Sequence, residues 1–514
     1  MFPQKLIRSV LTVGGFTAFS RVLGLVREML QSRLIGAGVE QSAFTLAFAL
    51  PNMARKLFGE GALTAAFVPV FKQEVEQEGL EKAARLARAV MTMLLLMLVS
   101  LLAIALAGIG CWSVRAGIFS AGAGAYRMRT TVALVIVLLP YMLAICGAAF
   151  GMGVLNALGK FKAASFMPTL LNLVWIAALL ALLVLPDVAP FQRVLLIAVA
   201  ILFGGFLQLI FMFSCMAKVG VCPMPLFTGW GANGVRKVWK NTAIAAFGAG
   251  AVQINYMLDQ FLAQCAAPWA AGVVGYAERL MDLPLGVVGV AFGTVLLPTF
   301  SGLFAKKDFE GAKKALLSSV MHLMLVMLPA AAGMFLLSHE ITAVVYQGRA
   351  FDSVATVRVS RALAVYALGL GFFGFQKSLV PWFQAQGDVK TPLRISVYMV
   401  VVNAILNVLS VVYLPEEWRH VGLAGSTVVC AGLGCVCLVT AAIRMNGSLG
   451  LGCLFRKIGL IALSTVLMSI ALMVVRRWLV AVGDIPALAI EILVGAGVYG
   501  AACFLLLGRG FLRR

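Results

Sequence analysis

Charge is scarce in this sequence. Only 12% of its 514 residues are Asp, Glu, Lys or Arg, against about a quarter in an average soluble chain, while 62% are hydrophobic and mean hydropathy is +1.00. A water-soluble protein is excluded on those figures. Histidine is nearly absent: the three present, His322, His339 and His420, are too far apart in sequence for a metal-ligand motif, and no H-E-x-x-H occurs. Neither G-x-x-x-x-G-K-[ST] nor G-x-S-x-G is found, which excludes ATP hydrolysis at a phosphate loop and a serine nucleophile elbow. The string Gly369 to Gly374 matches the dinucleotide fingerprint in letters only, because no strand-turn-helix context surrounds it. The ten cysteines are scattered singly with no C-x-x-C, so neither a zinc ribbon nor a disulfide framework is expected. No cleavage site follows the first apolar stretch, which is read as a retained membrane helix.

What is present is a succession of apolar runs. A bilayer core of about 30 Å needs about 20 helical residues, and such runs recur near 9–32, 41–68, 89–111, 130–156, 165–186, 192–217, 241–264, 270–303, 316–338, 359–385, 395–414, 421–443, 458–480 and 486–508. The expected fold is therefore an all-α polytopic membrane protein of about fourteen transmembrane helices. Of the 41 Lys and Arg, the greater share falls in loops on one side, Lys72, Lys82, Arg85, Arg88, Lys306 and Lys307 among them. Under the positive-inside rule this predicts both termini in the cytoplasm. The formal charge of +21 then reads as a topology signal with attraction to anionic membrane lipids. No nucleic-acid partner is implied.

Two groups of residues recur at nearly one offset. Pro69, Phe71, Glu81 and Ala83 return as Pro298, Phe300, Glu310 and Ala312, and Ala157, Gly159 and Lys162 as Ala385, Gly387 and Lys390. A six-helix shift preserves orientation, so the reading is two parallel six-helix lobes around a central cavity with two helices added. The boundaries expected are 1–220, 221–445 and 446–514.

Ionisable residues remain inside the spans: Arg21, Arg27 and Glu28 in the first; Arg55, Lys56 and Glu60 in the second; Asp259 in the seventh; Glu278, Arg279 and Asp282 in the eighth; Lys377 in the tenth. Each costs about 2.5 to 3.5 kcal/mol at mid-bilayer, so each must face protein or water. Ser20 and Arg27, seven apart, share a helix face, and Arg21 and Glu28 share the adjoining one. Lys56 with Glu60 and Arg279 with Asp282 have the spacing of internal ion pairs. Cations still outnumber nearby acids. A guanidinium is a permanent planar fork suited to phosphate or carboxylate oxygens, so Arg27, Arg55 and Arg279 point to an anionic cargo, most simply a phosphate ester. Gly24, Pro51, Gly59, Gly61, Pro284, Gly286 and Gly289 lie near these charges and are expected to kink their helices or to pack them closely. Asp259, Asn403, Asn407 and Thr427 supply hard oxygens suited to Na⁺, and Asn403 with Asn407 equally suit interhelical hydrogen bonding. No other cofactor is expected.

The segments FSRVLGLVRE (Phe19 to Glu28), LPNMARKLFGEGALTAAFVPVF (Leu50 to Phe71), LNALGKF with PTLLN (Leu155 to Asn172), YAERLMDLPLGVVGVAFGTVLLPTFS (Tyr276 to Ser301) and GDVKTP (Gly387 to Pro392) resemble the MurJ (MviN) family of lipid II flippases, within the multidrug and polysaccharide exporter superfamily. The resemblance covers nearly the whole chain. It implies a two-lobed bacterial inner-membrane transporter, not an enzyme, that moves the lipid-linked peptidoglycan precursor outward by alternating access. It further implies a cationic cavity and a groove for the polyprenyl tail formed by the last two helices; a monomer is expected. The family's functional residues would fall on Ser20, Arg21, Arg27, Glu28, Arg55, Glu60 and Arg279, and its sodium site on Asp259, Asn403, Asn407 and Thr427. The sequence departs from the family at Ser42, where Asp is usual, and at Ala49, where Lys is usual. A cation-coupled multidrug exporter of the same superfamily is the alternative.

Overall fold

The computed structural model describes residues 4–59, 61–115, 123–185, 188–479 and 483–508, and among them it is helical almost throughout. The first half contains α1 (Gln4–Ile35), α2 (Val39–Ala54), α3 (Ala62–Glu78), α4 (Leu80–Arg115), α5 (Ala123–Leu138), α6 (Tyr141–Ala157), α7 (Phe161–Val184) and α8 (Pro190–Lys218). Then follow α9 (Asn233–Ala266), α10 (Ala270–Ala305), α11 (Phe309–Leu336), α12 (Ser338–Tyr346), α13 (Ser353–Ala385), α14 (Lys390–Tyr413), α15 (Glu416–Asn446), α16 (Leu451–Trp478) and α17 (Asp484–Leu507). Among the described residues, ten helices are long and apolar enough to cross a membrane. At 1.5 Å per residue, α1, α9, α10 and the broken path from α2 to α3 are also long enough.

Seventeen helices arise from about fourteen expected spans because three spans are interrupted or extended. The second is broken by a π-helical turn, Arg55–Gly59, and the fourth is divided at Pro140. Between the ninth and tenth, the short α12 is added. Conversely, α1 runs unbroken through Gly24, and α10 through Pro284, Gly286 and Gly289. Those positions do not interrupt their helices.

The matched turns of the repeat close in the same way. Helices α6 and α13 each end on a left-handed glycine, Gly159 (φ +72°) and Gly387 (φ +78°). In each, the next amide reaches back five residues: Lys160 N to Leu155 O at 2.8 Å, and Asp388 N to Phe383 O at 3.0 Å. Only glycine takes this conformation without strain, which is why the matched pair stands at matched helix ends. The duplicated Phe71 and Phe300, and Ala83 and Ala312, are all fully buried.

Asp388 caps the following helix, its Oδ1 accepting from Thr391 N at 3.0 Å. A hydrogen bond from the Thr391 side chain, helped by the Thr391 and Lys390 amides, holds this carboxyl below the usual range. A depressed carboxylate contributes stability above its ordinary pKa and loses it as pH falls through the lowered value. Asp388→Ala is therefore expected to cost about 1 kcal/mol near neutral pH and less in acid, read by thermal unfolding of the purified protein at both pH values.

By contact the chain forms two compact units, Met1–Gln264 with Gly348–Phe351, and Cys265–Gln347 with Asp352–Arg514. This division groups α9 with the first unit, whereas the repeat boundary lies near residue 220. Val235 and Val238, in the first turns of α9, join the apolar core there. At its other end Gln264 Nε2 donates to Ser42 O at 2.6 Å, and Gln264 O accepts from Arg127 Nη1 at 3.1 Å. The short segment 348–351 belongs to this unit through Ala350 N donating to Arg33 O at 3.1 Å. Aromatic side chains fill the core, with Trp175 against Phe44 and Phe48, and Phe67 against Phe71 and Phe150. Small residues bring backbones together, as lipid-solvated helices require. A Cβ at Gly205 of α8 would stand 2.4 Å from the Tyr141 ring of α6.

In the second unit Phe300 and Phe304 pack on Trp382, and α13 contacts α10, α11, α12 and α15. Helices α16 and α17 pack on each other, α16 also on α11, and α17 on α11 and α12. Large apolar side chains lie open along the outer helices, including Ile104, Phe203, Val401, Val436, Ile470 and Leu493. In water so many would be a liability; facing acyl chains they are the proper surface.

Candidate substrate site

In the first unit the site is organised by α1 and α7. Arg27 lies on α1 with only 11% of its side chain exposed. Its Nη2 meets Glu28 Oε1 at 2.5 Å, its Nη1 donates to Asn172 Oδ1 at 2.9 Å, and its guanidinium carbon stands 4.2 Å from the centre of the Trp175 ring. Asn172 completes the frame by donating from Nδ2 to Ser20 O at 3.0 Å and to Ser20 Oγ at 3.3 Å. Ser20 and Arg27 thus share one face of α1, as their spacing of seven predicts, and one amide of α7 reads both. A cation desolvated to this degree needs a carboxylate, a dipole and a π face to offset the loss of water.

The sequence did not single out Asn172 or Trp175. Both stand on the fifth span one turn apart, and Asn172 closes the PTLLN segment; a lone amide in an apolar helix was the available signal. Nor did sequence spacing indicate that Glu28 would close on its chain neighbour Arg27. Of the cations expected to be in surplus, Arg27 already has a carboxylate. Arg21 is exposed on the same helix.

The second group stands on the π-helical turn. Arg55 is half-buried at its first position, with Nε directed at Asn52 Oδ1 at 3.4 Å. Lys56 Nζ lies 5.2 Å from the centre of the Tyr256 ring on α9. Glu60, its expected partner, lies outside the described residues. The turn is held by its glycines. A Cβ at Gly59 would come 2.8 Å from Ala149 Cβ of α6, and one at Gly61 would come 2.1 Å from the Lys56 carbonyl oxygen. The Thr64 hydroxyl donates to the Gly59 carbonyl, taking up one acceptor in the broken ladder. The break therefore delivers two cations from one turn. Ser42 and Ala49, the departures from the family pattern, are both buried in α2.

In the second unit Arg279 and Asp282 are both exposed on α10, one turn apart, and Tyr366 of α13 donates to Glu278 Oε1 at 3.2 Å. The residues suited to Na⁺ are divided between the units: Asp259 in the first, Asn403, Asn407 and Thr427 in the second. Asp259 Oδ2 accepts from Asn255 Nδ2 at 3.1 Å. Asn403 Oδ1 accepts from Asn407 Nδ2 at 2.9 Å, and Thr427 Oγ1 donates to Leu423 O at 3.3 Å. These bonds run within single helices, and Asn403 Nδ2 is buried with no hydrogen-bond partner.

Comparison with known proteins agrees with this architecture. The profile of the family described as "Lipid II flippase MurJ" matches residues 31–500. A relative from Rhizobium tropici named "Probable lipid II flippase MurJ" is 32% identical over 99% of this chain and 96% of its own length. A "Lipid II flippase MurJ" from Burkholderia cenocepacia is also 32% identical, over 79% and 78%. Among solved structures, a lipid II flippase MurJ in an inward closed conformation superposes with a TM-score of 0.77 at 22% identity, covering 96% of this chain and 98% of that one. An inward-facing multidrug resistance MATE transporter of the MOP superfamily gives 0.67 at 15% identity, covering 84% and 96%. At those identities the two structures bear on the fold. The profile covers most of the chain, and the Rhizobium tropici relative covers nearly all of it at 32% identity; on that basis this chain belongs to the MurJ family of lipid II flippases.

Proposed function

We propose that this chain carries lipid II, the polyprenyl-diphosphate saccharide-pentapeptide precursor of peptidoglycan, from the inner to the outer leaflet of the bacterial cytoplasmic membrane by alternating access. The observation that carries this reading is membership of the flippase family by a chain that places four arginines, Arg21, Arg27, Arg55 and Arg279, inside its membrane spans. Arg55 and Arg279 take the diphosphate, and Arg21, exposed on α1, is a further cation for it. Arg27 joins as Glu28 shares or yields it, and Ser20 and Glu60 complete the set. Neutralising these cations lets the lobes close on the cytoplasmic side while the tail stays in lipid, along a groove in the segment 446–514. The lobes follow the repeat, 1–220 and 221–445. Both termini lie in the cytoplasm, on the loop distribution of Lys and Arg, and the protein acts as a monomer. Outward movement of an anion gains about 2.3 kcal/mol per charge per 100 mV, so a diphosphate is driven without ATP. The oxygens of Asp259, Asn403, Asn407 and Thr427 have the hardness Na⁺ requires, and sodium bound there would supply positive charge between helices.

A cation-coupled drug exporter would need acids and aromatics where this chain places arginines, and its support is likeness of fold. Depletion of the protein in cells tests the proposal: the precursor is expected to become inaccessible to an enzyme added outside. Unchanged accessibility would exclude the role.

A further inference from the structure

In the second unit, on elements that carry none of the transport-site arginines, three charged side chains meet where the last two helices join the lobe. Arg476, in the last turn of α16, pairs through Nη2 with Glu340 Oε1 of α12 and directs Nη1 at Leu336 O at 3.4 Å. Glu491 of α17 is 2% exposed. The register brings it to this pair: α16 and α17 are antiparallel and Gly495 faces Leu472, with a Cβ at 495 only 3.2 Å from Leu472 Cδ2. One turn further along, Glu491 faces Arg476.

The charges do not balance. Two carboxylates and one guanidinium leave one negative charge among Leu337, Leu472 and Leu488, all buried in one apolar cluster. Two oxygens, Glu340 Oε2 and Glu491 Oε2, are buried with no hydrogen-bond partner. Two of the five guanidinium N–H donors go to Glu340 Oε1 and the Leu336 carbonyl, and none reaches either of these oxygens. No further charge faces Glu491 from the elements packed against it: Arg477 and His339 are exposed, Asp484 lies two turns back at the start of α17, and the facing stretch of α11, Pro329 to Gly333, is apolar. Tyr499 lies two turns on and donates its hydroxyl to Leu325 O at 2.6 Å. An ionised carboxylate in such a place is unfavourable, and a neutral acid supplies the donor that both orphan oxygens lack.

We propose that Glu340 and Glu491, beside Arg476, form a proton-binding site that seats α17 on α12, the two carboxyls together holding one proton taken from water. Losing it restores the second negative charge and loosens the seam between the last two helices and the lobe.

The test is infrared spectroscopy of the protein in lipid nanodiscs, with hydrogen exchange of α17 measured in parallel. At neutral pH the wild type is expected to show a carboxylic-acid C=O band that Glu491→Gln removes. Glu340→Gln is expected to remove it too, since Glu491 then pairs with Arg476 as a carboxylate. Raising the pH should abolish the band and speed amide exchange in α17 of the wild type beyond the intrinsic base-catalysed rise, with exchange in Glu491→Gln following that intrinsic rise alone. If Glu491→Gln fails to fold, as judged by gel filtration, the Glu340→Gln comparison and the wild-type titration decide. An acid band identical in wild type and either folded variant, or one that responds to Na⁺ at fixed pH and not to protons, overturns the proposal.

Discussion

Arg279→Ala is expected to lower lipid II translocation at least a hundredfold while leaving the protein in the membrane at close to its normal level. Arg279 is exposed on α10, where substitutions usually cost little folding energy. What is lost is a charge-assisted fork to phosphate. Each such hydrogen bond is worth about 1.5 to 3 kcal/mol, so a bidentate pair reaches about 3 kcal/mol or more, which corresponds to a factor above 100. Arg279→Lys keeps the charge and loses the planar fork, and an intermediate rate is expected. Fluorescent lipid II in proteoliposomes, with accessibility to an external quencher followed in time, reads the rate. Normal flipping by the alanine variant would remove Arg279 from the site.

Glu28→Gln should have the largest effect on stability. It leaves the Arg27 guanidinium, 11% exposed, without the carboxylate on its Nη2. Removing one partner of a buried pair costs about 3 to 5 kcal/mol, because the remaining charge stays desolvated. Asn172→Ala removes neutral partners of Arg27 and Ser20, and about 1 to 3 kcal/mol is expected. Glu28→Asp keeps the charge at a shorter reach and should retain most of the stability. Thermal unfolding in detergent ranks the three. The order Gln, then Ala, then Asp is the expected one; a Glu28→Gln variant as stable as Glu28→Asp would show that the Arg27 charge is not held by this pair.

How far the sequence determines these features depends on how local they are. Spans are local in chain and set by apolar length, and so the positions of most of them follow from hydropathy alone. The helix ends at Gly159 and Gly387 were also legible, because a left-handed residue at a helix end leaves its mark in residue type. The π-helical turn at Arg55–Gly59 was only half legible. Pro51, Gly59 and Gly61 announced a break, but its form depends on the close approach of Ala149 from another helix. Gly24 and Pro284 carried the same sequence signal and break nothing, since helix-breaking residues are tolerated when packing and neighbouring groups satisfy the freed backbone. The partners of Arg27 were hidden for a related reason. Asn172 lies 145 residues away, and no spacing rule connects α1 with α7. The junction of Glu340 with Arg476 spans 136 residues and was equally out of reach. Contact also groups α9 with the first unit, a division that a repeat read along the chain does not suggest.

On this mechanism, intramembrane guanidinium groups receive a phosphorylated lipid. The direct measurement is equilibrium binding of a polyprenyl diphosphate and of a lipophilic organic cation to the purified protein, each for wild type and for Arg55→Ala and Arg279→Ala. Tight diphosphate binding that falls at least tenfold in each variant, with weak binding of the cation throughout, is the predicted result. Diphosphate binding indifferent to both substitutions, or a preference for the organic cation, would contradict it.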